Sequence, residues 1–93
     1  MADRSETAAV RIKSEAIAWR VVDGEAVAFD VSRSEYVGLN AAATVILSQL
    51  DSGSTEAELS HGLASEFDVD LTTAERDVRT FLAACRERGW LDE

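Results

Sequence analysis

Residues 17–50, IAWRVVDGEAVAFDVSRSEYVGLNAAATVILSQL, change their hydrophobic period at Asn40. Before it the period is two. Ile17, Trp19 and Val21 alternate with Ala18 and Arg20, and Val27, Phe29 and Val31 alternate with Ala26, Ala28 and Asp30. Asp23-Gly24 between them is a hairpin signal, because Gly tolerates the positive φ that such turns use. Ser32-Arg33-Ser34 reads as a second turn and Glu35-Tyr36-Val37-Gly38-Leu39 as a third strand. An antiparallel three-stranded meander with one apolar face is expected. From Asn40 the period becomes 3.6, with Asn40 as N-cap and Ala42, Val45, Ile46 and Leu50 on one stripe.

Two more helices follow. Asp51-Ser52-Gly53 ends the first, and Thr55 with Glu58 has the spacing of a capping box. Leu59, Leu63 and Phe67 give helix two its expected buried face. Thr72 with Glu75 repeats the capping spacing for helix three, where Val78, Phe81, Leu82 and Cys85 form the inward stripe. Gly89 is placed to stop that helix, and Trp90 to fold back on Cys85 in a Schellman closure. Residues 1–14 are polar without clear period and read as a flexible arm, leaving 15–93 as one domain. The fold class is α+β: a three-stranded antiparallel sheet followed by three helices, one side of the sheet covered. Such a small sheet leaves an edge strand with unpaired N–H and C=O groups.

The 93 residues carry 18 acids against 9 bases, a formal charge of −9. Nucleic-acid binding needs a positive footprint, and so does an anionic membrane surface. Neither partner fits. A winged-helix DNA regulator shares the helix count, but Glu75, Asp77 and Glu87 dilute the arginines of helix three. No apolar run approaches a membrane span, the N-terminus lacks a signal peptide's apolar stretch, and the single cysteine forms no intramolecular disulfide. A cytoplasmic protein is expected.

The sequence holds little catalytic chemistry. His61 is the only histidine, so a metal site or acid–base pair built on it lacks a partner. Cys85 sits on a core stripe. Glu56 with Glu58, and Asp68 with Asp70, are spaced by two and do not face each other on a helix. No calcium loop or glycine-rich phosphate loop is present. No catalytic residue, metal or cofactor is expected. Arg76, Arg79 and Arg86 lie on the polar side of helix three, either as a solvated face or as a guide for an acidic ligand.

The stretch from Asp23 to Leu47 resembles the PqqD-like family of RiPP recognition elements, which serve ribosomally made, post-translationally modified peptides. The family pattern is a D-G-x-x-V-x-x-D hairpin, an aromatic residue, then Leu-Asn entering a helix: here Asp23, Gly24, Val27, Asp30, Tyr36, Leu39 and Asn40. A glycine-containing break follows at Asp51-Ser52-Gly53, and the final helix reads ERDVRTFLAACRERGWL. The match spans residues 16–92, and its specificity lies in order and spacing. The resemblance implies a winged helix-turn-helix-like fold that binds a precursor's leader segment as a strand added to the third strand, in a groove beside helix three. The implied peptide-binding residues are Arg33, Ser34, Glu35, Tyr36, Val37 and Gly38 on the strand, with Glu75, Val78, Arg79, Leu82 and Arg86 on the helix. Asp77, Phe81, Ala84 and Arg88 form the opposite flank, and the sequence does not decide which flank faces the groove. Val37 is expected to offer its N–H to the added strand. The chain looks like the discrete leader-binding proteins of lasso-peptide pathways, which work with a separate cysteine protease and an asparagine-synthetase-like cyclase. Its C-terminal helix also resembles the pyrroloquinoline quinone pathway member, which partners a radical SAM enzyme. A monomer or weak dimer is expected.

Overall fold

The computed structural model describes residues 9–93. The chain runs β1 (Arg11–Ile12), β2 (Ile17–Val22), β3 (Glu25–Asp30), β4 (Glu35–Gly38), α1 (Ala41–Leu50), α2 (Glu56–Phe67), α3 (Leu71–Arg88) and β5 (Leu91–Asp92). The strands β2-β3-β4 form the expected antiparallel meander, and β1 pairs with β5 in a second small sheet. Asp23 and Gly24 have φ of 54° and 81°, the two positive values a tight hairpin turn requires. They fix the register that sets Val22 opposite Glu25 and Ile17 opposite Asp30.

The expected arm over 1–14 is shortened by the structure. Residues 1–8 lie outside the described residues, but Val10 bridges Ser54, Arg11 and Ile12 pair with Asp92 and Leu91, and Val10 and Ile12 are buried. Two alternating apolar side chains in so short a stretch are too few to register as a period. They find a partner strand only across the whole length of the chain.

The sheet presents the opposite face of β3 from the one its large side chains suggest. Ala26, Ala28 and Asp30 are buried, whereas Val27 is 39% and Val31 50% exposed. Side-chain size explains the choice. Helix α1 lies against β3, close enough for the Ala26 N–H to donate to Thr44 Oγ1 at 2.7 Å. Larger side chains on that face would hold the helix away and leave this donor unmet.

The three helices supply most of the core. Asn40 caps α1 by accepting from the Ala43 N–H at 2.9 Å. Ile46, Leu47 and Leu50 are buried on the inward side, with Ala42 and Val45 at its margin. The capping box at Thr55 and Glu58 is complete in both directions. Leu59 and Leu63 bury as expected, but Phe67, in the last turn of α2, stays 38% exposed because Asp68 turns the chain left-handed immediately after it. Helix α3 starts earlier than its T-x-x-E spacing suggests. Asp70 is the N-cap and accepts from the Thr73 N–H at 2.8 Å, displacing the expected Thr72–Glu75 box. Ala74, Val78, Leu82 and Cys85 are buried on one stripe, and Phe81 only borders it. Burial of each large apolar side chain contributes about 1.5–3 kcal/mol.

The C-terminus of α3 closes as a Schellman motif. Gly89 is left-handed, its N–H donates to Arg86 O, and the Trp90 N–H reaches Cys85 O at 2.9 Å. The turn delivers the Trp90 ring into the core and its indole N–H to Asp30 Oδ2 at 3.1 Å. Asp30 also accepts from Ser32 Oγ, the Arg33 N–H, Arg33 Nη1 and Arg88 Nη1, at 3.1–3.2 Å. Among the described residues no helix is long and apolar enough to cross a membrane.

Burial alone would raise the Asp30 pKa. The hydrogen bonds from Trp90, Arg33, Ser32 and Arg88 outweigh it and hold the carboxyl at about 2, below its ordinary 3.8. The folded state therefore binds this proton more weakly than the unfolded chain does. The stabilisation is complete above pH 3.8 and is lost as the pH falls toward 2. Urea midpoints measured across that window should fall steeply for the wild type. The Asp30→Asn protein should have a lower midpoint at neutral pH and a flatter acid limb.

Candidate functional site

The free side of β4 begins beside the C-terminal end of α3, at the Glu35–Arg88 contact, and leads into the start of α1, which with α3 walls a groove. Strand β4 pairs with β3 on one side, and among the described residues no strand pairs with the other. The phase of the ladder decides which backbone groups face outward. The Leu39 N–H donates to Ala26 O at 2.9 Å, so Leu39, and by strict alternation Val37 and Glu35, point their hydrogen-bonding groups at β3. Tyr36 and Gly38 point theirs outward. The expectation that Val37 offers its N–H to an added strand is thus corrected. That donor belongs to the sheet's own ladder, and the Val37 side chain packs against the core.

The groove is fixed at one end by Arg88, whose Nη1 lies 3.4 Å from Glu35 Oε1 and 3.2 Å from Asp30 Oδ2. Arg33 reinforces it, reaching Asp30 Oδ2 and the Arg88 carbonyl. The Arg88 guanidinium also stacks over the Trp90 ring, 5.4 Å from its centroid. One to three turns earlier on α3, the same flank opens into a cavity of about 330 Å³. Asp77, Thr80, Phe81 and Ala84 line it from α3, and Asn40, Ala42, Ala43 and Ile46 from the start of α1.

The groove-facing flank of α3 is therefore Asp77, Phe81, Ala84 and Arg88. None of the expected helix contacts Glu75, Val78, Arg79, Leu82 and Arg86 lines this cavity. Val78 and Leu82 are fully buried core residues. At about 100° per residue, Glu75, Arg79 and Arg86 lie on the far side of the helix from this flank. Arg86 is engaged there by Glu93, at 2.8 and 3.0 Å. An acidic ligand guided by Arg79 would approach the side of α3 opposite this cavity. On the strand, Arg33 and Ser34 belong to the turn, and Glu35 meets Arg88. Tyr36 is 77% exposed and its ring packs on Phe29, with centroids 5.0 Å apart, on the sheet face away from the helices. Asn40, Ala42, Ala43, Ile46 and Thr80 were not foreseen as lining residues. The signal was the Leu39-Asn40 junction, which puts the first turn of α1 directly after the strand.

The groups that catalysis would use are not gathered here. His61 is exposed on α2, and among the described residues no cluster of three potential metal ligands occurs. Burial pushes the Cys85 thiol up to about 12 against the opposing charges of Arg86 and Arg88.

The profile of the family described as "Coenzyme PQQ synthesis protein D (PqqD)" matches residues 25–91. No curated protein sequence matches the chain. Among solved structures, "TbiB1 in Complex with the TbiA(beta) Leader Peptide" is 32% identical, with a TM-score of 0.78 over 88% of this chain and 94% of that one. "Lasso peptide synthetase B1 complexed with the leader peptide" is 30% identical, with a TM-score of 0.77 over 92% and 100%. The PqqD truncation of Methylobacterium extorquens PqqCD, described as a functional and stand-alone RiPP recognition element, has the same fold at 19% identity. Its TM-score is 0.74 over 96% and 94%.

Cys85 offers a direct check on the packing of α3. A thiol pKa of about 12 rather than 9.0 leaves on the order of a thousandfold less thiolate for attack at neutral pH. Native protein should resist a disulfide reagent such as DTNB and react at once in denaturant. Fast labelling of the native state would place Cys85 outside the core.

Proposed function

This chain belongs to the PqqD family, and from that premise we propose that it is a RiPP recognition element that binds the leader segment of a precursor peptide and presents it to separate modifying enzymes. The leader adds as a strand to the outer edge of β4, along Tyr36 and Gly38, and lays alternate side chains into the groove between α1 and the Asp77–Arg88 flank of α3. The observation that carries this reading is the unpaired edge beside an apolar cavity, in a chain 32% and 30% identical to two proteins solved with leader peptides.

The energetics require both parts of the site. Tyr36 and Gly38 each offer one N–H and one C=O, and such bonds contribute about 0.5–1.5 kcal/mol each. Micromolar affinity needs about 8 kcal/mol. Main-chain pairing therefore supplies the general grip, and side chains seated in the groove supply the remainder and the selectivity. The chain itself performs no chemistry and needs no cofactor. Its one thiol is buried, and it has no second histidine to pair with its first.

The pathway we favour is lasso-peptide biosynthesis, with a separate cysteine protease and an asparagine-synthetase-like cyclase receiving the leader-bound precursor in the cytoplasm. Service to a radical SAM enzyme, the pyrroloquinoline quinone arrangement, has less support, since the PqqD truncation is 19% identical. We read the working form as a monomer or a weak dimer.

Fluorescence anisotropy of a labelled leader, taken from the precursor encoded beside this gene, tests the reading. Saturable nanomolar-to-micromolar binding that a scrambled leader loses is expected, and no binding by folded protein would sink it. Gly38→Pro tests the edge itself. It removes one outward donor at a position where an added Cβ meets nothing within 4 Å, and should weaken binding about three- to tenfold without unfolding the domain. Val37→Pro should instead break the β3–β4 ladder and lower the melting temperature.

A further inference from the structure

Asp77 lies at the far end of the groove from Arg88. Arg33 and Arg88 are both engaged by Asp30 at the near end. Among the described residues Asp77 is in none of the ion pairs, and no basic side chain lines the cavity. Its helical neighbours three and four residues away are Thr73, Ala74, Thr80 and Phe81, none of them basic. The remainder of the cavity is Thr80, Asn40 and the apolar group of Ala42, Ala43, Ile46, Phe81 and Ala84. The site is thus an apolar basin whose one carboxylate is unpaired among the described residues, in a chain of net charge −9.

We infer that Asp77 is a specificity-determining residue that selects leaders carrying Lys or Arg two residues from an apolar anchor; this rests on the leader-binding reading above. The spacing follows from geometry. A strand along β4 turns every second side chain toward the helices, at intervals of about 6.6 Å. Asp77 and Phe81 are four residues apart on α3, about 6 Å along its axis. An anchor seated against Phe81 and Ala84 therefore puts the next inward side chain beside Asp77. A cation there gains an ion pair, whereas an acidic side chain meets like charge in an already negative field.

The test titrates the labelled leader, and versions with each Lys or Arg changed singly to Glu, against wild-type, Asp77→Asn and Asp77→Lys protein, each checked for folding by circular dichroism. Asp77→Asn should weaken the native leader about threefold and Asp77→Lys about tenfold. One Glu-bearing leader should bind the wild type worse than the native leader does, and the Asp77→Lys protein better. Equal binding of the native leader by wild type and folded Asp77→Lys, or recovery with no Glu-bearing leader, would overturn the role of Asp77 while leaving leader recognition intact. No binding of any leader by the wild type would overturn both.

Discussion

The rest of the structure hangs on the carboxylate of Asp30. It is buried at the end of β3 and accepts hydrogen bonds from the β3–β4 turn, from Arg88 at the end of α3 and from Trp90 just beyond it. These donors come from the two segments that bound the groove. A buried carboxylate is tolerated only when its charge and lone pairs are matched. Matching them all fixes where α3 stops relative to β4. The groove's near end is therefore set by a polar contact rather than by apolar packing, which alone would allow the helix to slide.

The same carboxylate explains why part of the fold could not be read locally. The Asp23-Gly24 turn, the Thr55–Glu58 box and the Gly89-Trp90 closure depend on a few neighbouring residues, and the chain forms them as its sequence suggests. The facing of β3 depends on residues far away. Val27, Phe29 and Val31 are larger than Ala26 and Ala28, and an aspartate in phase with the alanines looks like a solvent-side residue. Only the donors at Arg88 and Trp90, about sixty positions later, make that face the interior. Phe67 failed for the complementary reason: its position on the stripe was right, but the helix ends there.

The binding site divides in the same way. The third strand was placed from sequence, but which of its residues present backbone groups outward depends on ladder phase, visible only in the Leu39–Ala26 hydrogen bond. On α3 the two flanks are both amphipathic, and charge alone drew attention to the arginines at 79 and 86. The groove lies on the flank with fewer cations, because Val78, Leu82 and Cys85 turn that part of the helix into the core.

The pairing of β1 with β5 has a kinetic consequence. It joins residues 11 and 92, whereas the meander and the α2–α3 pair connect neighbours in sequence. Closing the longest loop carries the largest entropy penalty, although that penalty grows only slowly with length. The hairpins and helices can therefore assemble first, and the two-residue strands at the ends close the domain last. Among the paired strands they are expected to open first, so amide exchange within the ladders should be fastest at Arg11–Ile12 and Leu91–Asp92.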